Sequence, residues 1–457
     1  MRGRGKKICV VGDLLADSDV QGEADRLSPE APVPVVDERA VVHRAGGAGL
    51  AATMAARHHV DVVLVAAVAH DPAGQRLREL LQREWVRVRS VPWEGTTVEK
   101  VRIAAAGVPM LRLDRGAGRV AEQLDAPTVR SVHEAITTAD AVLVADYGRG
   151  MAAHPVIRDA LRLARRSGIP VVWDPHPRGP APVPGTTLVC PNEGEAVSCA
   201  TDVTGSDLPA HIDRARALRH RWDVGAVAIT LGRSGAVVVL GDGAPLRVPV
   251  LEPADASDTC GAGDAFAAAA TVALGRGAVV SEAVQAAVDA AAAFVGAGGA
   301  AGMGASPPAR RPDRSPRRGG TLVATGGCFD ILHPGHIHTL RAARCLGDRL
   351  VVLVNDDASV RRLKGPERPL QPVEDRCEVL RSLAAVDDVV VFSEDTPAEA
   401  LRELRPDIFV KGGDYTAAEI PETAVLAEWG GSVVTVPFLD GRSTTELVSR
   451  ARAGDTR

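Results

Sequence analysis

The chain has 457 residues, 46% of them hydrophobic and 24% charged, with a formal net charge of −5 at pH 7. This is the composition of an ordinary soluble protein, and the length exceeds what one hydrophobic core supports, so we expect two or three domains. No block of clustered Lys and Arg indicates nucleic-acid binding. The Ala-rich stretches fall short of the roughly 18 to 20 apolar residues of a membrane span.

The seven cysteines are scattered, and no two of them form a CxxC pair. This spacing argues against a zinc knuckle and against a disulfide framework. We therefore expect a protein of the reducing cytoplasm, without a nucleic-acid or membrane partner.

Short β-branched runs alternate with amphipathic helical stretches along most of the chain. In chain order they are KICVVGD, VDVVLVAAV, DAVLVADY, IPVVWDP, TTLVCPN and VGAVAITLG, then TLVATGG, DRLVVLVND, VDDVVVF, PDIFVKGGD and GSVVTVPF. Strands that are apolar throughout are covered on both faces, which is typical of parallel α/β sheets. Ligands bind at the carboxyl ends of such strands, and these runs end in polar residues or glycine: Asp13, Asp146, Asp174, Asn192, Gly326, Asn355 and Lys411.

One segment breaks this alternation. Residues 306–320, SPPARRPDRSPRRGG, are rich in Pro and Arg and have no apolar periodicity. The composition predicts a solvated linker rather than a binding patch. It divides the chain into a first domain of residues 1–305 and a second of residues 321–457.

A glycine-rich stretch near the end of the first domain suits an anion. In DTCGAGDAF, Gly261, Ala262 and Gly263 open a helix of small residues, so backbone N–H groups and the helix dipole face the same place. Asp264 lies just inside that helix, where its carboxylate could take a proton from a hydroxyl that attacks the γ-phosphate. A glycine turn with an acidic helix cap is the plainer alternative.

Three further motifs accompany this stretch: GDLLAD with Asp13, GGAG with Gly46 and Gly47, and PNEGE with Asn192 and Glu195. Together, in this order and spacing, they resemble the ribokinase-like sugar kinases of the PfkB family over residues 6–305. The resemblance implies a three-layer α/β/α domain with a small β lid. It implies Asp264 as catalytic base, Gly261 to Gly263 as anion hole, Asn192 and Glu195 near Mg·ATP, and Asp13 with the two glycines at the sugar.

A finer pattern looks like one branch of that family, the kinases of D-glycero-D-manno-heptose 7-phosphate. It consists of RLSPEAPVPVVD, KVRI, LRLD and ADYGRG. Lys100 and Arg102 could then face the substrate's 7-phosphate, or could lie on an exposed strand face. Two positions depart from the family: Leu50 replaces an asparagine that contacts sugar, and His176 replaces a lysine. A degenerate first domain that only binds sugar is therefore an alternative.

The second domain begins with GGCFDILHPGHIHTL, which holds three histidines. A zinc site would need all three to converge, but Pro334 is well placed to start a helix, on which His336 and His338 point away from each other. His333 and His336 are better placed to donate to a nucleotide's phosphates, and His338 is expected at the surface or in packing.

GxFDxLHxGH resembles the nucleotidyltransferase superfamily with an HxGH motif, which implies a Rossmann-like α/β domain for residues 321–452. RLKG, VKGGDY and GRSTTELVSR extend the resemblance. It implies catalytic roles for His333, His336 and Lys364. It implies nucleotide contacts from Gly326, Phe329, Asp330, Lys411, Ser443, Thr444 and Thr445, the last three capping a final helix.

The two halves fit one sequence of reactions. A kinase that acts on an anomeric hydroxyl makes a sugar 1-phosphate, and a sugar phosphate is already ionised for attack on a nucleotide's α-phosphorus. The full-length resemblance is to the bifunctional heptose 7-phosphate kinases/heptose 1-phosphate adenylyltransferases. It implies ATP at both sites with Mg²⁺, for which Glu195 is a candidate ligand. The oligomeric state stays open, with a homodimer as one alternative. Another sugar phosphate, CTP in place of ATP, and a product for a secondary metabolite instead of lipopolysaccharide remain open.

Overall fold

The structure is a computed structural model that describes residues 6–241, 243–251, 259–300, 320–412 and 420–436. The predicted linker, apart from Gly320, lies outside the described residues, as do Ser443, Thr444 and Thr445. The domain boundaries therefore stay predictions.

Strands and helices alternate in the first domain as the sequence predicts. The strands are β1 (Lys7–Gly12), β2 (Leu14–Leu27), β3 (Pro34–Gly47), β4 (Asp61–Val68), β5 (Val86–Gly95), β6 (Glu99–Ala105), β7 (Val108–Arg115), β8 (Gly118–Val120), β9 (Ala141–Ala145), β10 (Val171–Asp174), β11 (Leu188–Val189), β12 (Ala226–Thr230), β13 (Ala236–Leu240) and β14 (Leu246–Val248). The helices are α1 (Ala48–Ala56), α2 (Pro72–Arg83), α3 (Ala126–Thr137), α4 (Pro155–Arg166), α5 (Glu193–Cys199), α6 (Leu208–Trp222), α7 (Ala262–Gly275) and α8 (Val280–Gly296).

The second domain has the same alternation on a smaller scale. Its elements are β15 (Leu322–Gly327), α9 (Pro334–Cys345), β16 (Arg349–Asn355), α10 (Asp357–Lys364), α11 (Val373–Arg381), β17 (Asp388–Phe392), α12 (Ala398–Leu404), β18 (Ile408–Gly412), α13 (Glu422–Ala427) and β19 (Ser432–Val436). None of the helices in the described part of the chain is long and apolar enough to cross a membrane.

Apolar strands form one long sheet, in the order β17-β16-β15-β18-β19-β14-β13-β12-β11-β10-β9-β1-β4-β5-β8. The pairs among β1, β4, β9, β10, β11 and β12 are parallel, and so are those among β15 to β19. Strand β9 is buried along its whole length, as expected for a strand covered by helices on both faces. The α/β class and the two-domain architecture are confirmed.

A second, four-stranded sheet has the order β3-β2-β6-β7. Its strands are mostly exposed toward their outer ends and buried where they join the long sheet, as at Leu14 and Gly47. This is the small β lid that the family resemblance implies. It brings Asp17 opposite Arg44 on one side and opposite Lys100 on the other.

The long sheet crosses from one domain to the other. Strands β12, β13 and β14 are successively antiparallel, so β14 runs in the direction of β12. Strand β14 then pairs in parallel with β19, at Leu246 and Thr435. The parallel strands of both domains therefore run the same way, and their carboxyl ends lie on the same edge of the sheet.

Aspartates fix the start of several helices that cover the sheet. Asp71, Asp125 and Asp207 each accept a hydrogen bond from a backbone N–H in the first turn, of α2, α3 and α6 respectively, and a proline follows in that turn. The side chain satisfies an N–H that has no partner within the helix, and proline needs none there. Helix α7, by contrast, begins at Gly261 without a side-chain cap.

Candidate active sites

The first candidate site is built at the start of α7. Gly261 has φ +86°, and a methyl group there would lie 2.9 Å from Leu50 Cδ2, so only glycine fits this turn. Gly261, Ala262 and Gly263 bring the first N–H groups of the helix to the carboxyl edge of the sheet, where they can bind an anion. The predicted glycine turn at a helix start is present.

Asp264 lies in the first turn of α7 and is 7% exposed. The Tyr147 hydroxyl donates a hydrogen bond of 2.8 Å to its Oδ1. Burial raises the pKa of Asp264 to about 7, the bond from Tyr147 works in the opposite direction, and Asp17 adds to the rise. A carboxylate with this pKa gains and loses a proton near neutral pH, as a general base must.

Four of the residues predicted at the sugar lie in the lid strands β3 and β6, and Asp13 immediately precedes lid strand β2. Two of the five already have protein partners. The Asp13 carboxylate accepts hydrogen bonds from the backbone N–H groups of Tyr147, Arg149 and Met151, at 2.9 to 3.1 Å. Arg102 Nη1 lies 2.9 Å from Asp17 Oδ1 in an ion pair. Contacts of Asp13 and Arg102 with substrate therefore stay predictions, in competition with these bonds.

Gly46 and Lys100, also predicted at the sugar, both lie beside Asp17. A methyl group at Gly46 would lie 2.2 Å from Asp17 Oδ2, so this glycine lets the Asp17 carboxylate approach. Lys100 Nζ lies 5.7 Å from the centre of the Tyr147 ring. Burial lowers the pKa of Lys100, and Asp17 opposes that effect. Lys100 thus lies near Asp17, Tyr147 and the predicted base.

Asn192 and Glu195 cap α5 reciprocally. The Glu195 N–H donates to Asn192 Oδ1 at 2.9 Å, and the Asn192 N–H donates to Glu195 Oε2 at 2.8 Å. Burial raises the pKa of Glu195. Burial raises the pKa of Asp174 well above its usual range, with Asp264, Glu195 and Asp146 adding to the rise. The structure thus brings carboxylates from two strand ends and two helices near one another.

An apolar cavity of about 150 Å³ adjoins the start of α7. It is lined by residues that sequence reasoning did not single out, together with Ala262 and Gly263. Among them are Thr230, Val250, Phe266, Val288 and Val295. A flat apolar group attached to a phosphate at Gly263 would fit here, as pockets for such groups are mostly apolar. The one sequence signal for this cavity is Thr230, which lies at the carboxyl end of strand β12.

The two departures from the family pattern both have structural neighbours. Leu50 is buried against Gly261, so it forms an apolar wall beside the anion hole. His176 Nδ1 accepts a hydrogen bond of 3.2 Å from the Arg178 N–H. A methyl group at Gly148 would lie 2.7 Å from the same ring. Neither residue disturbs Asp264 or the glycines around it.

The second candidate site lies at the start of α9, which begins at Pro334 as predicted, with His333 as the preceding residue. The rings of His333 and His336 stack with their centres 3.8 Å apart, and the Phe329 ring packs 5.2 Å from His336. Burial lowers the pKa of His336 to about 4, and His333 and Lys364 contribute. His336 is therefore neutral at pH 7 and can donate a ring N–H without carrying charge.

Lys364 ends α10 and reaches back to the glycine-rich turn. Its Nζ lies 2.9 Å from Cys328 Sγ, and its charge acts on His336. Lys364, His333 and His336 are thus brought together as predicted.

Among the described residues no group of three His, Cys, Asp or Glu side chains is arranged to hold a metal ion. Burial lowers the pKa of His338, with opposing influence from Asp289 of α8.

Asp330 has a different environment from the one predicted. Its side chain is 0% exposed, forms an ion pair of 2.7 Å with Arg368, and accepts hydrogen bonds from the N–H groups of Leu370 and Gln371. The carboxylate holds the loop before α11 against the turn after β15. The predicted nucleotide contact of Asp330 therefore has no support from its position, and Phe329 is likewise buried, against His336.

The remaining predicted residues line the same strand edge. Gly326 is the penultimate residue of β15, and a methyl group at Gly326 would lie 3.6 Å from the Phe409 ring. Lys411 lies in β18, with its Nζ 3.4 Å from the buried Glu422. Their contacts with nucleotide stay predictions.

Sequence reasoning did not single out two residues, the partly buried Tyr147 and the buried Arg376. Tyr147 contacts Asp264 from a loop 117 positions away. Arg376, fully buried, donates to the backbone oxygen of Cys328 at 2.6 Å and pairs with Asp357 at 2.7 Å. ADYGRG and VEDRC carry these residues, but only the fold shows what they contact.

Comparison with known proteins defines the class of both halves. Residues 5–306 match the pfkB family of carbohydrate kinases, and residues 324–449 match a cytidylyltransferase-like family. Phosphofructokinase-2 of Escherichia coli shares the fold of the first half, with a TM-score of 0.50 and 18% identity over 64% of this chain and 94% of that one. The chain is thus a sugar kinase joined to a nucleotidyltransferase.

Two curated relatives span both halves. Bifunctional protein HldE of Streptomyces coelicolor is 52% identical, covering 98% of this chain and 97% of the relative. Bifunctional protein HldE of Magnetococcus marinus is 36% identical with the same coverage. The chain belongs to the HldE family of bifunctional enzymes, which join a heptose 7-phosphate kinase to a heptose 1-phosphate adenylyltransferase.

Proposed function

We propose that the chain uses two ATP in two separate pockets on the way to ADP-heptose. The first pocket phosphorylates D-glycero-β-D-manno-heptose 7-phosphate at C1 to the 1,7-bisphosphate. The second transfers an adenylyl group from ATP to heptose 1-phosphate and releases pyrophosphate. The observation that carries this proposal is the pair of separated helix starts, one beside Asp264 with a pKa of about 7 and one beside His336 with a pKa of about 4.

In the kinase pocket Asp264 takes the proton of the C1 hydroxyl as that oxygen attacks the γ-phosphorus of ATP. The N–H groups of residues 261 to 263 stabilise the charge on the transferred group. The apolar cavity beside Phe266 holds the adenine. Lys100 remains the better-placed cation for the far phosphate of the sugar, because Arg102 is paired with Asp17.

Mg²⁺ is expected in this pocket on the phosphates of ATP, since no three His, Cys, Asp or Glu side chains of the described residues are arranged to hold a metal ion by themselves. Burial and the charge of Glu195 raise the pKa values of Asp146 and Asp174, that of Asp146 to about 6. A divalent cation nearby would offset the cost of ionising these carboxyls. Glu195 would hold the ion, which supplies charge neutralisation on the ATP phosphates.

In the transferase pocket the nucleophile is the sugar phosphate itself, so no base is required. His333 and His336 donate hydrogen bonds to the triphosphate, and Lys364 balances its charge. We assign nucleotide contacts to Gly326 and Lys411 and, by the family resemblance, to Ser443, Thr444 and Thr445, which lie outside the described residues. The kinase product carries a 7-phosphate that ADP-heptose lacks, so a separate hydrolysis has to remove it between the two reactions.

We also propose a cytoplasmic homodimer. The seven cysteines all lie in the described residues and none is bridged, which suits a reducing compartment. The lid exposes Val42, Val108 and Leu111, apolar side chains that a second copy could cover. Light scattering coupled to size exclusion measures the mass in solution.

Mass spectrometry of the products tests the substrates. The full chain is offered heptose 7-phosphate, heptose 1-phosphate and other sugar phosphates, each with all four nucleoside triphosphates. We expect the 1,7-bisphosphate from the first sugar and ADP-heptose from the second, with ATP as the preferred donor. Efficient turnover of a different sugar, or of CTP, would refute the assignment.

A further inference from the structure

Tyr147 has no part in the reactions described above, yet it contacts the proposed base directly. It follows the strand end at Asp146, and its side chain is mostly buried. The hydroxyl donates to Asp264 Oδ1 at 2.8 Å. A buried phenol hydroxyl needs a polar partner, and here that partner is the carboxylate on which the kinase reaction depends.

The backbone around Tyr147 is held firmly. Asp13 Oδ2 accepts hydrogen bonds from the N–H groups of Tyr147 at 3.0 Å and Arg149 at 2.9 Å, and Asp13 Oδ1 accepts one from Met151 at 3.1 Å. Gly148 and Gly150 have φ of +69° and +107°, which lets the loop fold around that carboxylate. The buried Asp13 thus fixes the loop that carries the tyrosine.

The lid reaches the same ring from the other side. Lys100 Nζ, on β6, lies 5.7 Å from the centre of the Tyr147 ring, within the range of a cation–π contact. Tyr147 therefore contacts the lid through its ring and the base through its hydroxyl.

We propose that Tyr147 is a positioning residue of the kinase reaction, whose hydroxyl holds one oxygen of Asp264 and so leaves the other for the C1 hydroxyl of the sugar. This inference rests on the proposed function, because it takes Asp264 as the base. Tyr147 itself accepts no proton and touches no reacting atom.

The charged groups around Asp264 determine what loss of the hydroxyl does. Burial is the largest cause of its raised pKa; the Tyr147 hydrogen bond and Lys100 lower that pKa, while Asp17 raises it. The Asp174 carboxyl also faces Asp264. Removing the hydroxyl removes a stabiliser of the charged form, so the pKa of Asp264 rises further. The base is active when deprotonated, so the acid limb of the kinase pH profile moves to higher pH.

The test compares Tyr147→Phe with the unchanged chain. Phenylalanine keeps the ring under Lys100 and removes only the hydroxyl. We expect kinase kcat to fall about tenfold at neutral pH, as for a lost hydrogen bond to a charged group. The acid limb should shift upward, with KM values for ATP and sugar nearly constant. Adenylyl transfer by the same preparation is the internal control and should not change.

Three results would overturn the inference. If the pH profile of Tyr147→Phe coincides with that of the unchanged chain, the tyrosine serves only in packing. If kcat falls while the acid limb does not move, or if calorimetry shows that ATP-analogue binding is lost, the hydroxyl does not act through Asp264. Asp264→Asn is assayed in parallel. If that variant keeps kinase activity, the base assignment of the proposed function fails instead.

Discussion

Burial shifts the ionisation of Asp264 and of His336 in opposite directions. It raises the pKa of Asp264 to about 7 and lowers that of His336 to about 4, because a low-dielectric environment disfavours whichever form is charged. Near neutral pH Asp264 is therefore a poised base, whereas His336 stays a neutral donor. One chain thus contains two pockets with different responses to acid.

This difference predicts separable pH profiles. As the pH falls from about 8 to about 6.5, Asp264 is protonated and kinase kcat/KM should decrease. His336 keeps its charge state throughout that interval, so kcat/KM for adenylyl transfer should stay nearly constant until the sugar phosphate itself gains a proton, near a pH of about 6. Both rates are measured on one preparation. Parallel decline of the two rates would contradict these pKa assignments.

Single substitutions should separate the activities. Asp264→Asn should lower the kinase rate by roughly 10² to 10⁴-fold, because an amide cannot accept the proton, and should leave adenylyl transfer intact. His336→Ala should lower adenylyl transfer by roughly 10² to 10³-fold through the lost donor, with the kinase unchanged. Coupled assays of ADP and pyrophosphate release measure both reactions. Loss of both activities in either variant would argue against independent pockets.

Short-range patterns were enough to predict some of these residues. The spacing of Gly261, Gly263 and Asp264 already predicts a helix start with an acidic residue inside it, and His333 with Pro334 predicts another. Contacts between distant residues could not be predicted in this way. Tyr147 meets Asp264, and Asp330 meets Arg368, only because the fold brings separate loops together.

Among the elements, the turn after β15 depends on one buried arginine from α11. Arg376 donates to the backbone oxygens of Cys328 and Gln371 and pairs with Asp357 at the start of α10. It thereby connects the histidine turn, the loop before α11 and helix α10. Removing it leaves the partly exposed Asp357 carboxylate and two carbonyl groups without their donor.

Arg376→Met should therefore destabilise the second domain by about 1 to 3 kcal/mol, the usual cost of leaving buried hydrogen-bonding groups without a partner. Urea unfolding followed by adenylyl transfer activity measures the loss. Arg361→Ala, an exposed position on α10, is the matched control and should change stability by about 0.5 kcal/mol or less. Equal stability of the two variants would show that the hydrogen bonds and the ion pair of Arg376 do not stabilise the second domain.

Among the elements, runs of apolar residues predicted the buried strands but did not predict the lid strands β2 and β3. Strands β9 and β16 are buried almost throughout, and their β-branched residues are visible in the sequence. Strands β2 and β3 are 14 residues each; β3 is largely exposed and β2 is exposed toward its end, so no long run of apolar residues marks them. Only the family resemblance implied a lid.

For the molecule as a whole, direct contacts join the two domains in addition to the linker. Thr435 N–H donates to Pro245 O at 3.1 Å where β19 meets β14. Leu208 and Leu251 of the first domain pack against the core of the second. The pairing of these strands was not predictable, because nothing in a strand's own sequence identifies a neighbour from another domain.

Limited trypsin digestion should reveal this contact. The Arg-rich segment 306–319 is predicted to be solvated, so cleavage should begin there. Because strand pairing and leucine packing also join the halves, the nicked protein should elute from a sizing column as one species and keep both activities. Fragments that elute separately would show that the linker alone holds the halves together.

Because all the parallel strands run the same way, both candidate pockets lie along a single rim of the described structure. In the proposed reactions, heptose that leaves one mouth as a bisphosphate returns, after trimming, to the other mouth without going round to the back of the protein. The opposite rim, where the strands begin, holds neither candidate pocket and is the natural place for a tag or a surface attachment.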